Sequence, residues 1–155
     1  MKYRFQILTI LFMLIISNQA ISQIALAVSK NENGSSVKYS LETGKTMDEA
    51  VTKAQKMLSE QGMQNIEVLR STEETGHNLS SGFYVLIISS RKILGGKFFI
   101  SYGLGASAKS KEEAMQRALV HLKEYDWGYE RNFGYAIEKE GTIENFYVKE
   151  EKEKK

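Results

Sequence analysis

The chain has 155 residues, with 21 lysines and arginines against 19 aspartates and glutamates, two histidines, no cysteine and no proline. This length fits one domain, or two small halves that share a core, and excludes a large multidomain enzyme. The missing cysteines exclude disulfides, thiolate metal sites and a cysteine nucleophile, and two histidines are too few for a histidine-rich metal site. We therefore expect neither a metal ion nor a cofactor.

The first 22 residues have the pattern of a secretory signal peptide. Lys2 and Arg4 make a short positive segment, residues 5–16 form an almost unbroken apolar run, and a polar stretch with small residues ends at Ser22. The apolar run is shorter than the roughly 20 residues that span a bilayer. We predict that residues 1–22 are cleaved off on export to the periplasm or the medium, which leaves no stable membrane span. An uncleaved N-terminal anchor is the alternative.

Cleavage at this point changes the charge of the protein. It removes Lys2 and Arg4 but no acidic residue, so the formal net charge falls from +2 to zero. Nucleic-acid binding needs a basic surface, so we predict no nucleic-acid partner. At the other end, residues 149–155 mix lysine and glutamate and predict a charged, disordered tail.

The rest of the chain contains two similar units. Apolar runs predict strands at 24–28 and 83–88, and each is followed by a turn and a second strand, at 37–40 and 97–101. A helix follows each pair of strands. Both helices begin with a capping box, in which Thr46 or Ser110 is the N-cap and a glutamate stands three residues on. Gly62 is predicted to end the first helix.

A third strand follows each helix, at 66–69 and at 133–137, and Glu140-Gly141 is predicted to turn the chain into a further strand at 143–148. The unit β-β-α-β, present twice, predicts an α+β fold in which two helices pack on one mainly antiparallel sheet. We expect a single domain over 23–148, with repeat halves at about 24–70 and 83–148. Two independent domains are the less favoured alternative, because neither half buries enough apolar surface alone.

The second helix carries a family resemblance. Ser110, Ala114, Ala118 and Leu119 form the pattern Ser-x-x-x-Ala-x-x-x-Ala-Leu, and Thr46, Ala50 and Ala54 repeat part of it in the first helix. The pattern resembles a family of small exported bacterial domains of unknown function, which repeat a strand pair followed by such a helix. The resemblance spans roughly residues 24–137 and implies an exported α+β repeat without implying an activity.

Two features could carry chemistry. Residues 103–108 match the dinucleotide-binding pattern G-x-G-x-x-A between a strand and a helix, but without a parallel sheet we favour a tight turn there. His77 lies in a polar loop and His121 occupies the position that Met57 has in the first helix. A packed His121 with one hydrogen bond is favoured over a catalytic base.

Aromatic residues distinguish the second half from the first. Residues 125–147 contain seven, at positions 125, 127, 129, 133, 135, 146 and 147, whereas residues 61–79 contain none. If the chain were extended here, the odd-numbered ones up to 135 would share one side of a strand with Ile137. Exposed Trp and Tyr beside an Arg are typical of protein-binding hot spots and sugar platforms. We predict a binding surface at Trp127, Tyr129, Arg131 and Tyr135; completion of the core over the helices is the alternative.

These observations lead to three functional hypotheses. The first is an exported, non-enzymatic binding module with a protein partner in the envelope or outside the cell. The second is a binder of a glycan or another small ligand, with Trp127 and Tyr129 stacking on it. The least favoured is a small hydrolase that uses His77 or His121, since neither histidine has an evident nucleophile beside it.

Overall fold

The structure is a computed structural model that describes residues 22–69, 78–79, 82–129 and 134–143. The elements in these ranges are β1 (Ser22–Lys30), β2 (Ser36–Gly44), α1 (Met47–Glu60), β3 (Ile66–Leu69), β4 (Asn78–Leu79), β5 (Gly82–Lys92), β6 (Phe98–Ser107), α2 (Lys111–Tyr125) and β7 (Ala136–Ile143). Apart from Ser22, the predicted export signal lies outside the described residues, as does the predicted charged tail at 149–155.

The α+β class and the repeated order of strands and helices are confirmed, but the prediction of one sheet is wrong. The described strands form two antiparallel sheets, ordered β2-β1-β3 and β6-β5-β7, with the short β4 also paired to β1. Each half therefore makes its own sheet around its first strand. The reason is that β1 and β5 carry buried apolar residues on both faces, so each sheet needs a second layer besides its helix, and the other sheet supplies that layer.

The two sheets pack face to face, and one helix covers each outer face. Leu26 of β1, Leu86 of β5 and Leu104 of β6 are fully buried in the cluster between the sheets. On the outer faces, Ala27 packs with Leu58 of α1, while other residues of β5 pack with α2. Successive strand residues point to opposite faces, so the continuous apolar runs in β1 and β5 require a layer on each side. The order of layers is helix, sheet, sheet, helix.

Both helices begin as their sequences predict. The Thr46 hydroxyl accepts a hydrogen bond from the Glu49 backbone N–H at 3.2 Å, and the Ser110 hydroxyl accepts one from Glu113 N–H at 3.1 Å. These bonds satisfy amides that the first turn of a helix leaves open. At the end of α1, Gly62 has φ +74°, which glycine adopts without strain. In the described part of the chain, no helix has the length and apolar character needed to cross a membrane.

The last strand differs from its prediction. No turn occurs at Glu140-Gly141, because β7 starts at Ala136 and runs through both residues to Ile143. Gly141 lies opposite Tyr84 of β5, and a Cβ atom there would come within 2.9 Å of the tyrosine ring. The glycine therefore makes room for the Tyr84 side chain and does not turn the chain. The part of the predicted 143–148 strand beyond Ile143 lies outside the described residues.

Candidate functional site

The most exposed large aromatic side chain of the described residues stands on a turn directly after α2. The helix ends at Tyr125, and the Tyr129 backbone N–H donates to the Asp126 carbonyl at 2.8 Å, which closes a tight turn. Trp127 occupies the second position of this turn, and 94% of its surface is exposed. The extended conformation considered for this stretch is therefore wrong, since the chain reverses at Trp127 and Gly128.

A buried carboxylate holds this turn on the second sheet. Asp126 is only 3% exposed. Its Oδ1 atom accepts from Arg91 Nη2 at 2.6 Å, and its Oδ2 atom accepts from Arg91 Nε at 3.3 Å and from Ser101 Oγ at 2.9 Å. Arginine binds a carboxylate through two nitrogens with a fixed geometry, so β5 and β6 set both the position and the orientation of the turn.

Two further contacts fix the guanidinium of Arg91. It lies over the Phe99 ring, with its central carbon 4.5 Å from the ring centroid, and Phe99 is the residue opposite Arg91 in the β5–β6 ladder. The backbone of Gly128 also passes so closely that a Cβ atom there would stand 2.9 Å from Arg91 Nη2. The glycine lets the turn rest directly on the arginine. We call Arg91, Ser101 and Asp126 the brace of the Trp127 turn.

The structure describes three of the four predicted site residues, and these three differ in exposure. Trp127 is exposed, and Tyr135, just before β7, is 44% exposed. The prediction that Tyr129 belongs to the exposed surface is wrong: it is 7% exposed and packs with Val85, Ile87 and α2. The turn sends its ring back into the layer between α2 and the second sheet, where it completes the core. Arg131 lies outside the described residues.

The brace was missed in the sequence because its members are far apart along the chain. Arg91 does carry a signal, since it continues the series Val85, Ile87 and Ser89, whose side chains are buried on β5. A charged residue at the next position of an inward-facing series requires an opposite charge. Asp126, the first residue after α2, is the acid that supplies it.

The glycine pattern at 103–108 has a packing role. Gly103 and Gly105 lie inside β6, so the tight turn predicted there is wrong. A Cβ atom on Gly103 would stand 2.2 Å from the carbonyl oxygen of Ala118, and one on Gly105 would stand 2.1 Å from that of Ala114. The α2 backbone rests directly on the bare strand at these points. The pattern thus belongs to a helix–sheet contact in an antiparallel sheet, where dinucleotide binding has no parallel strand crossover to use.

Polar side chains of α2 cover the outer edge of β6. His121 is fully buried, and its Nδ1 atom accepts a hydrogen bond from the Leu104 backbone N–H at 2.9 Å. Arg117 Nη1 donates to the Ala106 carbonyl oxygen at 3.0 Å. His121 is therefore the packed histidine that its position in the repeat predicts. Its Nδ1 lone pair is engaged by the backbone, which argues against the hydrolase hypothesis for this residue, and His77 lies outside the described residues.

The packing shifts the pKa values of two side chains, Glu113 and Tyr102. A hydrogen bond from the Ser107 hydroxyl, followed by the charges of Lys109 and Arg117, holds the pKa of Glu113 below its usual range. Between the sheets, burial raises the pKa of Tyr102 to about 12. Its ring lies 4.9 Å from that of Tyr39, whose hydroxyl donates to Glu138 Oε1 at 3.1 Å. Both shifts favour the charge state that the fold uses, an ionised glutamate and a neutral tyrosine.

Among the described residues, no group of three or more histidine, aspartate or glutamate side chains is placed to hold a metal ion. Comparison of the chain with family models, with curated proteins and with solved structures found no match. The family resemblance drawn from the α2 pattern therefore stays a prediction. The feature from which a function can be argued is the Trp127 turn.

Proposed function

We propose that the protein is an exported, non-enzymatic binding module. It binds a protein partner in the envelope or outside the cell, with Trp127 as its main contact. The observation that carries the proposal is the exposure of the Trp127 indole on a turn whose neighbouring residue, Asp126, is buried and bound to two strands. Tyr135, which is 44% exposed, and Arg131, which lies outside the described residues, are the other members of the surface that the sequence predicts.

The energetics of association favour this arrangement. A tryptophan side chain buries a large apolar area on contact and is the residue type most enriched among binding hot spots. Fixing a mobile loop during association costs about 0.5–1.5 kcal/mol for each side chain that is immobilised. The brace of Arg91, Ser101 and Asp126 already orders the turn in the folded protein, so less conformational entropy is lost when a partner binds.

The other parts of the proposal rest on the sequence. Export rests on the signal pattern of residues 1–22, and the role of an envelope or secreted accessory rests on analogy with small repeated α+β domains. The non-enzymatic part is supported by the position of His121, whose Nδ1 atom is bound to the backbone of β6.

A capture experiment tests the proposal. The exported chain is used as bait against envelope and culture fractions, beside Trp127→Ala and, as a matched control, Met57→Ala. Met57 is an exposed apolar residue of α1, on the opposite outer layer. We expect a protein that the wild type and Met57→Ala retain and that Trp127→Ala binds at least about tenfold more weakly when both proteins are purified. Equal binding by all three baits would contradict the proposal.

A glycan or small ligand is the second candidate, favoured by the same exposed indole, because aromatic faces stack on sugars. Trp127 is the single tryptophan of the chain, so its fluorescence reports on this turn alone. Titration with cell-wall fragments would shift or quench the emission if a glycan stacks on Trp127. Unchanged emission, together with a Trp127-dependent protein complex, would favour the protein partner.

A further inference from the structure

The two halves of the protein differ at their outer strand edges. In the second half, the outward Ile100 N–H donates to Ser35 Oγ at 2.8 Å, and His121 accepts from the outward Leu104 N–H. Arg117 binds the outward carbonyl of Ala106. An edge strand offers its unpaired N–H and C=O groups to any strand that approaches, and side chains that occupy those groups block such pairing. The edge of β6 is protected in this way.

Within the described residues, fewer side chains bind the corresponding edge of β2. The Thr43 carbonyl oxygen accepts from Lys53 of α1, so the backbone groups of Thr43 point away from β1. Because this direction alternates along an antiparallel strand, the N–H of Leu41, two residues earlier, also points outward. The α1 residue in the position of His121 is Met57, whose thioether is only a weak acceptor.

At the next outward position, Lys53 Nζ reaches the Thr43 carbonyl at 3.4 Å, a longer contact than its counterpart in the second half, which measures 3.0 Å from Arg117 to Ala106. A register shift between Ser29 and Lys30 places a bulge at Val37 and ends the regular edge there. The regular part of the β2 edge before Thr43 is therefore 38–42.

We infer that a second copy of this chain adds its β2 to this edge, antiparallel and around a twofold axis at Ser40, so that the first sheets of the two copies become one. Tyr39 and Leu41, whose backbone groups point outward, make the hydrogen-bonded pairs with Leu41 and Tyr39 of the second copy. The even-numbered residues then face each other in the closer, non-hydrogen-bonded pairs. This inference is independent of the proposed function of Trp127.

The charges of Lys38 and Glu42 favour this register and favour a second copy of the chain as the partner at this edge. With the axis at Ser40, Lys38 lies opposite Glu42 of the second copy, and symmetry produces the pair twice. Moving the axis to Tyr39 places Lys38 opposite a serine, and moving it to Leu41 places Lys38 opposite a glycine. The Ser40 register is therefore the one of these three that pairs opposite charges across the strands, which stabilises an antiparallel ladder. The edge is complementary to itself, which is what an isologous dimer requires.

The test measures the mass of the exported chain by sedimentation velocity over a concentration series. We expect a monomer–dimer equilibrium that Lys38→Glu and Glu42→Lys each weaken about tenfold, because each places like charges opposite each other twice. An equimolar mixture of the two variants restores the dimer, since one chain then carries only acids and the other only bases at these positions. The double variant Lys38→Glu/Glu42→Lys also restores it.

Two controls separate this inference from other effects. Lys97→Glu makes the same change of charge on the β5–β6 hairpin, and we expect it to leave the dimerisation constant unchanged. We expect the same of Trp127→Ala. If a charge reversal disturbs the thermal melt, Lys38→Gln and Glu42→Gln replace the reversals and must still weaken the dimer. A wild-type chain that is monomeric at every concentration up to its solubility limit would overturn the inference. So would a mixture of variants that fails to restore association.

Discussion

Removal of the Asp126 carboxylate probes the brace most severely. In Asp126→Ala, Arg91 loses the carboxylate bound at 2.6 and 3.3 Å, and Ser101 loses its acceptor at 2.9 Å. The Asp126 side chain is 2% exposed and that of Arg91 is 20% exposed, so water reaches the arginine only in part. Breaking a buried ion pair from one side costs about 3–5 kcal/mol, because the remaining charge is left uncompensated.

Partial access of water to Arg91 places the expected loss at the lower end of that range. We expect Asp126→Ala to lower the free energy of unfolding by about 3 kcal/mol, measured by circular dichroism in a urea titration. Tryptophan emission is a poor probe of global unfolding here, because Trp127 is already 94% exposed in the folded protein. It is instead a probe of the turn, and its fluorescence anisotropy should fall in Asp126→Ala under folding conditions.

A surface ion pair supplies the control. Lys56 and Glu60 of α1 lie 3.7 Å apart with both side chains well exposed. Glu60→Ala should change stability by less than about 0.5 kcal/mol and leave the anisotropy of Trp127 unchanged. If Asp126→Ala lost less than about 1 kcal/mol, or if its anisotropy matched the wild type, the brace would not hold the turn and this reasoning would be refuted.

Three further predictions concern packing and pH. Gly105→Ala should lower the free energy of unfolding by about 3 kcal/mol or more in urea titrations, because the new Cβ atom would stand 2.1 Å from the Ala114 carbonyl oxygen. Gly96 has φ +76° and open space around it, so Gly96→Ala should cost only about 1 kcal/mol, and equal losses in the two variants would contradict the packing role of Gly105. His121→Met should cost about 1–3 kcal/mol, because the buried Leu104 N–H loses its acceptor, and unchanged stability would contradict that role. The pKa of Tyr102, raised to about 12 against an ordinary 10, predicts stability that is fully present below pH 10 and is lost as pH rises through 12, up to about 3 kcal/mol. Tyr102→Phe has no hydroxyl to ionise and lacks this pH-dependent contribution to stability. A difference in unfolding free energy between wild type and Tyr102→Phe that stays constant from pH 9 to 12 would refute the prediction.

The parts of the fold that depend on neighbouring residues were predictable from the sequence. Thr46 and Ser110 act on amides three residues away, so a short pattern identifies both helix starts. The number of sheets was not predictable in this way, because it depends on how β1 and β5 pair with strands elsewhere in the chain. Gly141 shows the same limit, since its role is set by Tyr84 on a neighbouring strand and its sequence context suggested a turn.

The candidate site was predictable only in part, for the same reason. The excess of aromatic residues after α2 indicated Trp127 correctly as an exposed residue, but alternation along a strand placed Tyr129 beside it. The turn that separates them depends on Arg91 and Ser101, which are 35 and 25 residues away from Asp126 along the chain. A pattern read within one window carries no information about such partners.

Crosslinking at the turn tests the central claim most directly. A photoactivatable amino acid replaces Trp127 in one chain and Met57 in another, and both chains are irradiated in the cells that produce them. We predict that the probe at position 127 crosslinks to one discrete protein other than a second copy of this chain, and that the probe at position 57 does not crosslink to that protein. Crosslinks to that protein from both positions, or from neither, would contradict the account of Trp127 as the contact residue of a binding module.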